Sequence, residues 1–126
     1  MPEPTSRNKP KALLVEDEFL LAIHVKELLQ QLGFEVVGPA RRVDEAIRLL
    51  QSQSNLAIAI LDIDLAGEMV WPVARALLKR SVPFILVTGY HQGRFQLPPD
   101  LSESKLLLKP LDERDLEQTI RALHGI

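Results

Sequence analysis

Five short apolar runs recur along the chain, each separated from the next by a stretch long enough for a helix: KALLV (11–15), FEVVG (34–38), LAIAILD (56–62), VPFILVT (82–88) and KLLLK (105–109). A strand with one wet face alternates apolar and polar residues. These runs are mostly continuous, which is the pattern of strands covered on both faces, as in a parallel sheet. The intervening stretches agree. In EFLLAIHVKELLQQLG, Leu21, Val25, Leu28 and Leu32 recur at helical spacing and Gly33 supplies a stop. VDEAIRLLQSQ gathers Val43, Ala46, Ile47 and Leu50 on one face, with Asp44 and Glu45 near the positive helix end. WPVARALLKR closes on cations, and LDERDLEQTIRALHG offers Asp112 as N-cap and Gly125 as terminator. The fourth connection, GYHQGRFQLPPDLSES, contains Gly93 and the pair Pro98-Pro99, so a short or irregular helix is expected there.

Strand and helix alternating in this way, with right-handed crossovers, predicts an α/β flavodoxin-like three-layer sandwich. It has a five-stranded parallel sheet in the order 2-1-3-4-5 and helices on both faces. The 126 residues fit one domain, read here as 11–126 behind an N-terminal tail at 1–10.

Composition excludes several function classes. With 15 basic and 17 acidic residues the net charge is −2, which gives no footprint for nucleic acid or an anionic membrane. No apolar stretch approaches the ~20 residues of a membrane span, and MPEPTSRNKPK has no signal-peptide core. There is no cysteine, hence no disulfide or thiolate metal site, and a reducing, cytoplasmic location is the expectation.

Ligands of an open parallel sheet bind beyond the carboxyl ends of its strands, near the switch in strand order. Acids fall there: Glu16, Asp17 and Glu18 follow the first strand and Asp62 ends the third, while Thr88 ends the fourth and Lys109 the fifth. Carboxylates brought within ~4 Å repel by ~4 kcal/mol per pair at an effective dielectric of 20, so the cluster calls for a cation. Magnesium suits hard oxygen donors, whereas His24, His91 and His124 lie away from the strand ends and make zinc a poor choice. Magnesium, the Lys109 ammonium and the Thr88 hydroxyl together would hold the oxygens of a phosphoryl group while a carboxylate attacks in line, and Asp62 is the best nucleophile.

VEDE, ILDIDLAGE, VTGY and LKP occur in this order at strand ends, and with them the chain resembles the receiver domain of two-component response regulators over residues 10–126. The resemblance implies a signalling phosphoacceptor that promotes its own phosphorylation and dephosphorylation, rather than an enzyme acting on a separate substrate. Asp62 would take a phosphoryl group from a phosphohistidine on a sensor histidine kinase or phosphotransfer protein. Asp17 would bind magnesium directly, Glu16 through water, and Asp64 through its backbone carbonyl. Thr88 and Lys109 would hold phosphoryl oxygens, with Pro110 cis to Lys109. The output would be a phosphorylation-dependent contact with a further protein, or a role as relay intermediate or phosphate sink.

Leu106 stands where receivers commonly carry an aromatic. Together with Val87-Thr88-Gly89-Tyr90 this resembles the often single-domain subgroup with a Phe-Ala-Thr-Gly-type motif, so a stand-alone regulator is expected and Tyr90 is the switch candidate. Two other readings stand beside this one: a haloacid-dehalogenase-like phosphatase using the Asp62-x-Asp64 pair, and a receiver-shaped module that is never phosphorylated. Glu18 reads as a negative first-turn residue facing the helix dipole. Trp71 and Phe84 read as packing residues, His24 as interfacial or core, and Arg41-Arg42 as a solvated helix entry.

Overall fold

The computed structural model describes residues 9–89 and 97–125. Its elements are β1 (Lys11–Val15), α1 (Phe19–Gln31), β2 (Glu35–Ala40), α2 (Val43–Gln51), β3 (Leu56–Asp62), a small hairpin of β4 (Asp64–Leu65) and β5 (Glu68–Met69), α3 (Trp71–Lys79), β6 (Phe84–Thr88), a 3-10 turn (Pro99–Leu101), β7 (Lys105–Leu108) and α4 (Glu113–His124). The main sheet runs β2-β1-β3-β6-β7, all parallel. Without the hairpin this is the expected order 2-1-3-4-5. The described part of the fourth connection holds only the 3-10 turn, in keeping with the expected short or irregular helix.

Alternate residues of each central strand face opposite layers. Leu13, Val15, Ala59, Leu61 and Leu86 point into a core closed by Val43, Ala46 and Leu50 of α2 and Val73, Ala74 and Leu77 of α3. Their neighbours Ala12, Leu14, Ile58, Ile60, Ile85 and Val87 meet Val25, Leu28 and Leu29 of α1 and Leu116 and Ile120 of α4. Both faces are thus dry, which is why the runs read as continuous. Helix α4 ends as its sequence predicts: the Asp112 carboxylate accepts the Asp115 N–H at 3.0 Å, and Gly125 takes φ 78°.

Three expectations are corrected. The second strand starts at Glu35 and runs through Gly38-Pro39 to Ala40 instead of stopping at 38. It is an edge strand that carries one extra residue against β1, and an edge or a bulge is where a sheet tolerates proline. Gly38 is required there: its φ is +109°, and a Cβ would lie 2.5 Å from the Leu14 carbonyl oxygen. The fourth strand begins at Phe84, two residues later than the apolar run suggests. The last strand is far from dry, with Leu106 36% and Leu108 48% exposed, because β7 is the other edge of the sheet. His24 takes the interfacial one of its two expected places, exposed but pairing with Glu113 across α1 and α4 at 2.9 Å.

No helix among the described residues is long and apolar enough to cross a membrane. Arg41 and Arg42 are exposed, Phe84 is buried and Trp71 is half-buried.

Candidate functional site

Because the strands are parallel, their carboxyl ends form one row. Val15 pairs with Leu61, Asp62 with Val87, and Thr88 with Leu108, so the residues that follow β1, β3, β6 and β7 share one edge. Backbone hydrogen bonds lock that edge: Glu16 N–H to the Ala40 carbonyl at 2.8 Å, Ile63 N–H to Val87 at 2.9 Å, and Lys109 N–H to Thr88 at 2.7 Å. Among the described residues, the buried polar or charged side chains are Glu16, Asp62 and Thr88, all on this edge.

Glu16, Asp17 and Asp62 can bring one carboxylate oxygen each within 4.8 Å of one another. Lys109 reaches in from the far strand. Its ammonium donates to Asp62 Oδ2 at 3.1 Å and to Glu16 Oε2 at 3.3 Å, and also closely to Glu18. The second oxygen of Asp62 accepts the Asp64 N–H at 3.3 Å, and Glu16 Oε2 accepts the Glu18 N–H at 3.1 Å. Both buried acids are therefore held from their own backbone as well as by the lysine.

Burial, then the charge of Glu16 and a hydrogen bond with it, push the Asp62 carboxyl up to about 8 against the opposing pull of Lys109. For Lys109, burial works to lower the pKa. The hydrogen bond with Glu18 and the charges of Asp62 and Glu16 outweigh it and hold the ammonium above its ordinary value. The site thus carries more negative charge than one lysine balances. Its donors are all carboxylate oxygens, a set that fits a hard divalent cation such as magnesium and offers nothing to a soft one.

A family model described as the response regulator receiver domain matches residues 12–121. The chain belongs to this family. Among curated proteins, the receiver is 32% identical over 114 residues to the sensory transduction protein LytT of Bacillus cereus, covering 88% of this chain and 46% of that protein. It is 31% identical over 110 residues to the phyllosphere-induced regulator PhyR of Methylorubrum extorquens, covering 86% of this chain and 41% of that protein. The chain thus spans about half the length of the curated relatives it matches, or somewhat less. Among solved structures, SdrG from Sphingomonas melonis Fr1 superposes with a TM-score of 0.78 at 29% identity, covering 95% of this chain and 98% of that one. The PhyR receiver domain of Erythrobacter litoralis, at 24% identity, shares the fold with a TM-score of 0.80 over 94% of this chain and 92% of that one.

Glu16, Asp17, Asp62, Thr88 and Lys109 are thus brought to one receiver edge from four strands. Asp64 is different: its side chain is exposed and accepts the Gly67 N–H at 2.8 Å, turned into its own hairpin. Tyr90, the switch candidate, lies outside the described residues, as do His91 and Gly93. Leu106 is in the strand expected for it, yet partly exposed rather than sheltered.

Glu18 is the residue the sequence undervalues. It occupies the N-cap position of α1 but makes no side-chain cap, and its carboxylate goes to Lys109 instead of the helix end. Nothing local in VEDE announces this, since the partner lies 91 residues away.

Proposed function

We propose that this receiver domain is a phosphoacceptor whose reactive residue is Asp62. The observation that carries the reading is a buried carboxylate at a parallel-sheet switch edge, 3.1 Å from a lysine ammonium and clustered with two further acids. One carboxylate oxygen of Asp62 forms a bond to phosphorus in line with the breaking P–N bond of a donor phosphohistidine. The electron pair of that bond leaves with the imidazole nitrogen, which takes up a proton, and the product is an acyl phosphate.

The chain's own groups fit the charge that moves. Lys109, already bonded to Asp62 Oδ2, can pass an N–H to a phosphoryl oxygen, and Thr88 brings a hydroxyl to the same edge. Asp17, Asp62, the Asp64 carbonyl and, through water, Glu16 would hold magnesium, which supplies positive charge that favours ionised Asp62 and offsets the phosphoryl oxygens. The donor would be a sensor histidine kinase or a histidine phosphotransfer protein in the cytoplasm. The acceptor of the signal would be a further protein, or a second histidine if the domain acts as a relay or sink. The phosphatase reading is disfavoured by Asp64, whose carboxylate is engaged by its own turn and so is not poised beside Asp62 as an acid or base.

Incubation with acetyl phosphate and magnesium should add one phosphoryl group to the intact mass of the wild type and none to Asp62→Asn. A hydroxylamine-labile gain at the wild-type rate in that variant would overturn the assignment.

A further inference from the structure

The Lys109 ammonium has three N–H donors and meets three carboxylates, Glu16, Glu18 and Asp62. Its donor capacity is filled. An oxygen arriving on Asp62 must therefore displace an acceptor or share a donor. The three acceptors are unequal in how freely they can leave. The side chains of Glu16 and Asp62 are 4% and 5% exposed, and each is also tied to a backbone N–H at a strand end. The side chain of Glu18 is 60% exposed, and its backbone stands at the first turn of a helix its carboxylate does not cap. Turning Glu18 into water exchanges one solvated partner for another, whereas withdrawing Glu16 would strand a buried charge.

We propose that Glu18 is a positioning residue that occupies Lys109 in the unphosphorylated site and is displaced when a phosphoryl oxygen takes its donor. This rests on the reading of Asp62 as phosphoacceptor and adds a restraint on that reaction. Glu18 competes with the incoming oxygen for one ammonium. Removing its charge frees the lysine and strengthens binding of a phosphoryl group, and the competition weakens with ionic strength because the pair is partly in solvent. A residue that served only the helix start would show none of this.

The test is beryllofluoride affinity, with magnesium held saturating, in wild type, Glu18→Gln, Glu18→Asp and the exposed control Glu27→Gln. At low salt Glu18→Gln is expected to bind about three- to ten-fold more tightly than wild type, the scale of one partly exposed charged hydrogen bond. Glu18→Asp and Glu27→Gln should stay near the wild-type value, and the Glu18→Gln advantage should shrink toward unity near 1 M salt. Equal or weaker binding by a folded Glu18→Gln at low salt would overturn the proposal, as would a gain unaffected by salt. Should that variant not fold, the carboxylate carbon of Glu18 in the wild type, followed by NMR, decides the matter. It should shift when beryllofluoride binds, and an unmoved signal would overturn the proposal. Wild type that binds no beryllofluoride would instead count against Asp62 as phosphoacceptor, so the two failures are distinguishable.

Discussion

Replacing Asp62 by asparagine should stabilise the metal-free protein at alkaline pH and leave it little changed at acid pH. The carboxyl ionises at 3.8 in an unperturbed chain and is pushed to about 8 in the folded one, first by burial and then by Glu16. Below the lower value both states hold the proton and the group contributes nothing to the pH dependence. Between the two values only the folded state holds it, so stability falls as pH rises, by up to ~1.4 kcal/mol per unit. Above about 8 both states are ionised and the loss is complete. The full span sets an upper bound of roughly 5–6 kcal/mol; water and rearrangement around Lys109 reduce the expected effect to ~1–3 kcal/mol.

The assay is urea unfolding of wild type and Asp62→Asn in chelator at pH 5, 7 and 9, with stability taken from the midpoint at a common slope. Taking the difference between the two proteins cancels every other titration they share. Asp62→Asn should gain ~1–3 kcal/mol on wild type between pH 5 and pH 9. Magnesium should then narrow or reverse the gap, since an ion at a hundred times its dissociation constant adds about 2.7 kcal/mol to the protein that binds it. A difference that stays constant from pH 5 to pH 9 in chelator would refute the claim that Asp62 is protonated in the empty folded site.

Asp17→Asn should lower magnesium affinity by ~10-fold or more while modestly stabilising the metal-free protein; unchanged affinity by calorimetric titration would remove Asp17 from the metal site. Gly38→Ala should cost ~2–4 kcal/mol, because a Cβ there meets the Leu14 carbonyl oxygen at 2.5 Å and the Ala40 nitrogen at 2.9 Å. Gly33→Ala, at φ +97° but with nothing within 4 Å, should cost only ~1 kcal/mol. Equal melting temperatures for the two alanine variants would show that the close approach at Gly38 is not what fixes the bulge.

How much of this was legible in the sequence depended on distance along the chain. Burial leaves a local record, so the four helices and five main strands could be read from apolar spacing, and the helix stop at Gly125 from its residue type. Whether a strand is central or at an edge is decided by what lies beside it, and that record is weaker. The three leucines of KLLLK form a run as unbroken as LAIAI, yet β7 ends up at an edge with Leu106 and Leu108 partly in water. Gly38-Pro39 looks like a stop and proves to be a bulge within an edge strand. The hairpin at 64–69 left no periodicity to detect, because each of its strands has only two residues.

The candidate site was legible for the same reason that it costs stability. A chain places acids at the ends of apolar strands against the preference of burial, so Glu16 and Asp62 stand out in sequence wherever the strand before them is recognised. Glu18 does not stand out, since an exposed acid at a helix start needs no explanation. Its partner appears only once β7 has been laid two strands away from β3 in the same sheet, which brings Lys109 over the first loop. The four acids Glu16, Asp17, Glu18 and Asp62 then cluster about a single lysine, and by themselves they leave an excess of negative charge. That excess is what a divalent cation would relieve, and what an added phosphoryl group would renew. The same imbalance would couple both events to the position of one ammonium, and Glu18, the acceptor of Lys109 with the most exposed side chain, is the acid best placed to yield.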